Sequence, residues 1–390
     1  MGFRQRVTVH FEHSPAPAIA TMISSGQPCV ARPSLEPRAN PSPGPRAEPG
    51  TDFKLELGQS LGHPERGGLD AGLLAQLNQR RNGPGQRQLA LHLGVLLVGG
   101  LLWSLPQRGG MLAGLVVPAA LVGPLGVVGL VLLGSGLAFA FCAMHECGHR
   151  TAFASRDLND AVAWWAGVLS FYNADFYRRY HQWHHRYTHL PGLDPELEDS
   201  PPTTLGAYLL ELSAIPWWIG KIRGHSAALQ GDFAGRPYIP AEAASAVRHS
   251  LALQFGVYAL LALVSSLLGA PGFLFWYWLL PLAVAQPLLR FVLLAEHGGC
   301  PFVADGLRNT RTTHTLAPLR RLMWNMPFHA EHHLYPSLPF HALARAHRQL
   351  EPQLAVVAPG YLAVHRGFLA NLAALAMPNT PAAAPAGSMP

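Results

Sequence analysis

The chain of 390 residues is 49% hydrophobic and only 13% charged, a balance that is too apolar for two or three ordinary soluble domains. Its formal net charge of +6 would suit nucleic acid or an anionic membrane surface, but Arg108 is the only charged residue between Gln88 and Met144, and residues 250–289 contain none. These long uncharged stretches exclude a nucleic-acid-binding surface and indicate a membrane protein.

The two ends of the chain differ in composition from the middle. Residues 1–60 are rich in Pro, Gly, Ser and Arg and show no sustained helical or strand periodicity, which predicts a disordered tail. Residues 351–390 are predicted to form a C-terminal segment that is partly disordered. The sequence between them, residues 61–350, is predicted to form one membrane domain.

Four long apolar segments lie within this domain, and each is near or above the length that crosses a bilayer. They are Leu89–Leu105, Met111–Cys142, Ser250–Ala270 and Gly272–Ala295. Very short connections join the first segment to the second and the third to the fourth. The sequence therefore predicts an all-α integral membrane fold with four transmembrane helices in two hairpins. Residues 161–172 and 205–222 are interpreted as helices that lie at the membrane interface.

Basic residues are distributed unequally between the two sides of these predicted spans. The two connections within the hairpins contain one basic residue, Arg108, whereas the opposite side carries many arginines and Lys221. The positive-inside rule therefore predicts that the opposite side and both termini face the cytoplasm, with the inner membrane as the location if the source is bacterial.

Three histidine clusters lie on the predicted cytoplasmic side. The first has the spacing HxxxH and the other two have the spacing HxxHH; their members are His145 and His149, then His181, His184 and His185, then His329, His332 and His333. Residues three or four apart share a helix face, so each cluster directs its imidazoles to one side. Eight neutral nitrogen ligands suit first-row metals and are too many for one ion, which predicts two ions in a histidine-rich cap. The alternatives are that histidines are merely frequent in this chain, or that one cluster binds a structural zinc.

At these clusters the sequence resembles the membrane fatty acid desaturase and hydroxylase superfamily. The resemblance runs from about Leu89 to His347 and rests on the motifs HECGHRTAF, YHQWHHRYTH followed by GLDPELE, and WNMPFHAEHHLYPSLPFHAL. It implies a non-haem di-iron centre in the cytoplasmic cap, with two Fe ions that use O₂ as co-substrate and two electrons to attack an unactivated C–H bond. The usual substrate in that superfamily is a lipid acyl chain.

The resemblance also points to a ninth metal ligand, His297, at the end of the fourth predicted span. His297 follows Glu296, in the position of a Glu-His pair that occurs in sphingolipid desaturases and in related alkane hydroxylases. An interfacial histidine without a metal is the alternative. His189 and His314 stand outside the clusters and are interpreted as surface residues or as hydrogen-bond donors to the ligands.

Carboxylates near the clusters are natural partners for the second ring nitrogen of a metal-bound histidine, because they set its tautomer and orientation. The candidates are Glu146, Asp194 and Glu331, for which solvated positions on helix faces are the alternative. Cys147 lies within the first cluster and is interpreted as a packed small residue rather than a ligand.

Together with the resemblance, these residues predict an O₂-dependent acyl-lipid desaturase. A hydroxylase or ketolase on a fatty, carotenoid or small polar substrate is the alternative, because desaturation and hydroxylation differ only after the first hydrogen is removed. A membrane metal transporter or sensor is the non-enzymatic alternative, and it would need ionisable residues within the spans. The sequence contains neither a cytochrome b5 domain nor a ferredoxin-type cysteine run, so a separate ferredoxin- or cytochrome b5-like electron donor and its reductase are expected partners.

Overall fold

A computed structural model describes residues 68–376 of the chain, apart from residues 113 and 200. The predicted tail of residues 1–60 and the end of the C-terminal segment lie outside the described residues. Within the described part the chain is mostly helical, as the sequence predicts.

The described residues form thirteen α-helices and four two-residue strands. The helices are α1 (Ala71–Leu77), α2 (Asn82–Trp103), α3 (Ala119–Gly148), α4 (Arg156–Ser170), α5 (Ala174–Tyr187), α6 (Leu205–Leu212), α7 (Ile215–Gln230), α8 (Ala241–Leu267), α9 (Leu280–His297), α10 (Ala317–Leu322), α11 (His329–Leu334), α12 (Phe340–Leu350) and α13 (Tyr361–Ala370). The strands are β1 (Met111–Leu112), β2 (Leu115–Val116), β3 (Thr312–Thr313) and β4 (Val357–Ala358); β1 and β2 pair antiparallel, and β3 and β4 pair parallel.

Three helical segments of the described chain are long and apolar enough to cross a membrane. They are α3, α8 and the segment Phe275–His297, in which a π-helical turn at Phe275–Leu279 leads into α9. The first predicted span corresponds to α2, which is not among them. Its apolar part runs only from Leu89 to Trp103, less than the roughly 20 residues that a span usually needs. A membrane span at α2, and with it the total of four spans, therefore stays a prediction.

Two predicted segments have different boundaries in the structure. The second apolar segment becomes helical only at Ala119, because the β1–β2 hairpin occupies its start and Pro118 precedes the helix. The helix then continues to Gly148 and carries the first histidine cluster at its end. The predicted interfacial helix at residues 205–222 is divided into α6 and α7 at Ala214, which has a left-handed φ of 61°, and Pro216 follows in the first turn of α7.

Helix α3 is at the centre of the packing and contacts α2, α4 and α9. Glycines permit the close approach of these helices. A Cβ at Gly129 would overlap the backbone of Leu102 and Trp103 in α2, and a Cβ at Gly134 would overlap the backbone of Pro281 in α9. This contact holds the ends of α3 and α9, which carry His145 and His297, next to each other.

Candidate metal centre

Four helices bring the histidines together. The first cluster lies where α3 ends, with His149 as the residue that follows the last turn. The second cluster lies on α5, which begins after Asn173, whose side chain accepts a hydrogen bond from the backbone N–H of Phe176 at 3.0 Å. The third cluster makes up most of the short helix α11, and His297 is the last residue of α9. All nine histidines are buried or half-buried.

Five of the nine histidines form one compact set, called here the five-histidine group. Its members are His145, His149, His181, His185 and His332, and each offers a ring nitrogen within 4.8 Å of the others. Nε2 of His185 lies 3.0 Å from Nε2 of His181 and 3.1 Å from Nε2 of His332. Around an ion with metal–nitrogen bonds of about 2.1 Å, ligand atoms at right angles are about 3.0 Å apart. The group has the dimensions of a metal coordination shell.

The other four histidines form a second set, called here the four-histidine group. Ring nitrogens of His184, His297 and His333 lie within 4.8 Å of one another. Nε2 of His329 completes the set, at 3.2 Å from Nε2 of His297 and 3.1 Å from Nε2 of His333. The two groups adjoin, because the rings of His185 and His333 stack with centroids 4.2 Å apart. The structure thus divides nine histidines into two neighbouring nitrogen sets.

Many of the buried ring nitrogens have no protein partner. Within the described chain, both ring nitrogens of His145, Nε2 of His149 and Nδ1 of His181, His185, His329 and His332 are buried without a hydrogen bond. Several of the remaining nitrogens contact only other imidazole nitrogens, and one N–H can serve only one of them. Lone pairs of buried ring nitrogens that face one another cost free energy, whereas a cation between the converging Nε2 atoms would satisfy them and leave the proton on Nδ1 of each bound ring. The residues present therefore fit two metal ions.

The protonation of these histidines is consistent with metal binding. Burial, followed by repulsion from neighbouring histidines, holds the pKa of His181, His185 and His332 well below its usual range. The neutral imidazole that results is the form that binds metals. His184 differs, because burial lowers its pKa but Asp194 and Glu196 outweigh burial and raise it to about 9.

Two of the three predicted carboxylates contact histidines of the groups. Oε1 of Glu146 is 3.3 Å from Nδ1 of His145 and 3.8 Å from Nδ1 of His332. Oδ1 of Asp194 accepts a hydrogen bond of 2.8 Å from Nδ1 of His184, which leaves Nε2 of that ring free to face the four-histidine group.

Glu331 has different partners from those expected. Its carboxylate accepts a hydrogen bond from Thr312 Oγ1 and contacts Nδ1 of His347, both at 2.5 Å, and the described contacts place it beside none of the nine histidines. The pairing of β3 with β4 holds Thr312 in that place. Glu331 therefore anchors α11 to Thr312 and His347 and does not orient a ring nitrogen of either histidine group.

His189 and His314 lie outside both groups. Nδ1 of His189 donates to the carbonyl of Pro301 at 2.9 Å, and its ring stacks on Phe302. His314 is exposed, with Nε2 3.5 Å from Glu351. Neither residue directs a nitrogen into the histidine groups.

Glu196 is a functional candidate that reasoning from the sequence missed. Its carboxylate lies 3.7 Å from Nε2 of His184. The short turn Pro195–Leu197, which follows Asp194, brings two of the three acids of the GLDPELE motif, Asp194 and Glu196, to the same histidine. Glu296 has a similar position beside another member of the four-histidine group, 3.5 Å from Nε2 of His329.

A cavity of about 490 Å³ opens beside the two groups. His145, His181, His297 and His329 line one part of it, and the rings of Phe141, Tyr172, Tyr177 and Trp217 contribute much of the rest of its wall. Aromatic rings and several charged side chains share the wall, a combination that suits a small molecule or an acyl chain with a polar group. The arrangement can therefore hold an organic substrate against metal-binding nitrogens.

The comparison with known families agrees with this geometry. Residues 121–364 match the family model described as fatty acid desaturase. The matched region extends from α3 into α13 and includes all nine histidines and every lining residue of the cavity except Leu375. No curated protein matches the chain.

Proposed function

The chain belongs to the fatty acid desaturase family, and from this we propose that it is an O₂-dependent desaturase that introduces a double bond into a lipid acyl chain. Family membership supports an oxidoreductase of the desaturase and hydroxylase type. The observation that carries the proposal is the pair of adjoining histidine groups at one side of an aromatic cavity. The reaction converts two neighbouring CH₂ groups to CH=CH while O₂, two electrons and two protons become two molecules of water.

In this proposal the five-histidine group and the four-histidine group each hold one iron. Bound there, the di-iron centre would supply the activation of O₂ that breaks an unactivated C–H bond. The protein holds the rings in place: Asp194 orients His184 through Nδ1, and Glu146 lies beside His145 and His332. Apart from His184, the buried and mutually repelling imidazoles stay neutral and so keep their lone pairs for the metals.

The side chains of the cavity wall would bind and orient the substrate. Phe141 and Tyr177 lie between the aromatic part of the cavity and the histidines, with ring centroids 6.3 Å from that of His145. Apolar rings at this position exclude water from the carbon that reacts and restrict the substrate to one path towards the ligands. Selectivity for the carbon attacked would follow from how far the substrate enters.

We also propose that the enzyme sits in the membrane with four spans and with its histidines on the cytoplasmic side. The three apolar helical segments support a membrane protein, and α2 is the candidate for the remaining span because it packs along α3. Electrons would come from a separate ferredoxin-like or cytochrome b5-like donor through its reductase. An Arg-rich cytoplasmic face would favour an acidic donor.

A hydroxylase is the second candidate, and the polar groups of the cavity favour it. Glu196 and Glu296 lie at the histidine end, where a wholly apolar tunnel would be expected for a plain acyl chain. The same centre yields an alcohol when an OH group is transferred to the carbon that lost the first hydrogen before the neighbouring carbon loses a second one. The substrate position, rather than the ligand set, would decide between these products.

Lipid profiling tests the proposed function. A host that expresses the protein would be compared by mass spectrometry with one that expresses His332→Ala, with His314→Ala as a control variant outside both groups. New unsaturated species that depend on His332 support desaturation, and hydroxylated species support the second candidate. Metal analysis is the companion measurement: about two irons per chain support the proposal, whereas zinc or copper together with metal transport would contradict it.

A further inference from the structure

Four side chains meet in the cavity away from the histidines. The hydroxyl oxygen of Tyr172 accepts N–H hydrogen bonds from Trp217 Nε1 and from Arg290, each at 2.9 Å. The ammonium nitrogen of Lys221 lies 3.7 Å from the centroid of the same tyrosine ring. These four residues, which all line the cavity, are called here the donor cluster.

The donor cluster has many hydrogen-bond donors and almost no acceptors. Indole, guanidinium and ammonium groups can only donate, so the single acceptor is the Tyr172 oxygen, which already receives two N–H groups. In the part of the chain that the structure describes, Nε of Arg290 is buried without a partner, and no carboxylate lies within 4.0 Å of either Lys221 or Arg290. Apart from the Tyr172 oxygen, the described contacts give these two cations no acceptor, and the phenol hydrogen has none.

The acidic groups near the metal centre do not fill this role. Glu196 is 3.7 Å from His184, and Glu296 is 3.5 Å from His329. Arg290 interacts electrostatically with both carboxylates at longer range, but neither comes within 4.0 Å of its guanidinium. Arg290 is also the one charged residue inside an otherwise apolar part of the candidate span, from Phe275 to Ala295. A charge at such a position is costly and usually serves a ligand or a pathway.

We propose that the donor cluster is an oxyanion-binding subsite, which holds a carboxylate or a phosphate of the substrate. This inference rests on the proposed function, because it takes the cavity to be the substrate's, and it adds the substrate class: an organic anion whose charged end enters the protein. A guanidinium fork, an ammonium and a hydroxyl together provide the donors that such an oxyanion requires.

The distance between the subsite and the histidines limits the position of the bond that reacts. Arg290 precedes His297 by seven residues on α9, which is roughly 10 Å along a helix. The ring of Phe141 lies between, with centroids 4.7 Å from Tyr172 and 6.3 Å from His145. The carbon that is oxidised therefore lies several bonds from the anion.

Calorimetric binding to the purified full chain in a non-ionic detergent tests the subsite. The probes are octanoate, octyl phosphate and the neutral octanol, which share one alkyl chain. We expect either anion to bind at least about tenfold more tightly than octanol, since a charge-assisted contact is worth at least the corresponding free energy. The anion that binds more tightly shows whether the subsite prefers a carboxylate or a phosphate. Equal affinities for all three probes would overturn the proposal.

Variants locate the binding within the cavity. Lys221→Gln and Arg290→Lys are each expected to reduce octanoate affinity about tenfold and to leave octanol affinity unchanged. Arg223→Gln is the matched control for Lys221→Gln, because Arg223 is exposed on the same helix, α7, and does not line the cavity. If both cluster variants fold and bind octanoate like the original protein, the assignment is wrong.

The outcome is separable from that of the proposed function. Binding is measured without turnover, so selective anion binding with no oxidised product from any substrate would contradict the desaturase proposal and leave the subsite intact. If the protein oxidises a neutral acyl lipid equally well with Lys221→Gln and shows no selectivity for anions, the subsite is contradicted and the desaturase proposal stands.

Discussion

Asp194 accepts a hydrogen bond from Nδ1 of His184, with 2.8 Å between the two atoms and both side chains buried. Oδ2 of the same carboxylate accepts the backbone N–H of His189 at 2.6 Å, and Oδ1 also accepts the N–H of Glu196 at 2.9 Å. The carboxylate is therefore held by the loop that follows α5. That support keeps Nε2 of His184 directed at the four-histidine group.

Replacing Asp194 by Asn tests this relationship. The amide keeps the size of the side chain and loses the charge that favours an Nδ1–H tautomer, so we expect iron affinity to fall by roughly 10–100-fold. Iron titration of the metal-free protein gives the measurement. Asp157→Asn, an exposed position in the first turn of α4, is the control and should bind iron normally. Normal affinity in Asp194→Asn would argue against an orienting role.

His297 is predicted to bind iron although it belongs to none of the three histidine clusters of the sequence. Its Nε2 is 3.2 Å from Nε2 of His329, and its Nδ1 is 3.1 Å from the carbonyl of Asn309, to which it donates. His297→Ala should lose iron and activity as severely as His332→Ala, whereas His314→Ala should keep most of both. Two irons per chain and normal turnover in purified His297→Ala would refute the assignment.

The pH dependence of anion binding follows from Lys221. Burial, together with Arg290 and Arg236, lowers the pKa of Lys221 to about 7. The other groups that face this part of the cavity are Tyr172, His225 and Glu211.

Only the protonated amine attracts an oxyanion, so octanoate affinity should be highest at or below pH 7. It should weaken by up to about tenfold per pH unit above that value, because binding then requires uptake of a proton. Lys221→Arg, which stays charged, should give a flat profile between pH 7 and pH 9. Calorimetry at each pH supplies the test, and the same slope in both proteins would contradict the role of Lys221.

The predicted orientation can be tested with a reporter enzyme that is active only outside the cytoplasm. An insertion between Arg108 and Gly109 should be active and a fusion after Pro390 inactive, because basic residues concentrate on the opposite side of the spans. A cytoplasmic reporter at the same two sites should give the complementary pattern. Reversed activities would refute a cytoplasmic metal centre.

Close packing of α3 on α9 is expected to be sensitive to side-chain size. Gly134→Val would overlap the backbone of Pro281 and should destabilise the protein by roughly 1–3 kcal/mol or more. Gly123→Val in the same helix is the matched control, because no heavy atom lies within 4 Å of the added Cβ. Thermal unfolding in detergent compares the two. Equal unfolding temperatures for the two variants would mean that α3 and α9 can move apart without loss of stability.

Local spacing in the sequence was sufficient to predict the helices and the histidines that they carry. Residues four apart lie on one helix face, and in each cluster the i and i+4 histidines do enter the same group: 145 with 149, 181 with 185, and 329 with 333. Long uncharged runs likewise indicate membrane helices, since such runs have no stable place in water. These features depend only on neighbours along the chain.

The division into two groups was decided by the tertiary structure. His184 and His332 hold the i+3 positions, which are rotated about 100° from their i+4 neighbours, and each joins the group opposite to its own cluster. Which group receives them depends on how α5 and α11 face each other. The partners of Glu331, which are Thr312 and His347, depend in the same way on how α11 packs against other segments.

The donor cluster is the clearest case of a site that the sequence could not predict. Tyr172, Lys221 and Arg290 are far apart in the sequence and form no motif, so no local pattern could reveal that they meet. Their shared lack of an acceptor becomes visible only when the fold encloses them in one cavity, because hydrogen-bond satisfaction is a property of three-dimensional neighbours. The sequence by itself determined the candidate metal ligands through their spacing, and the packing of α3, α5, α7 and α9 decided which other side chains share their cavity.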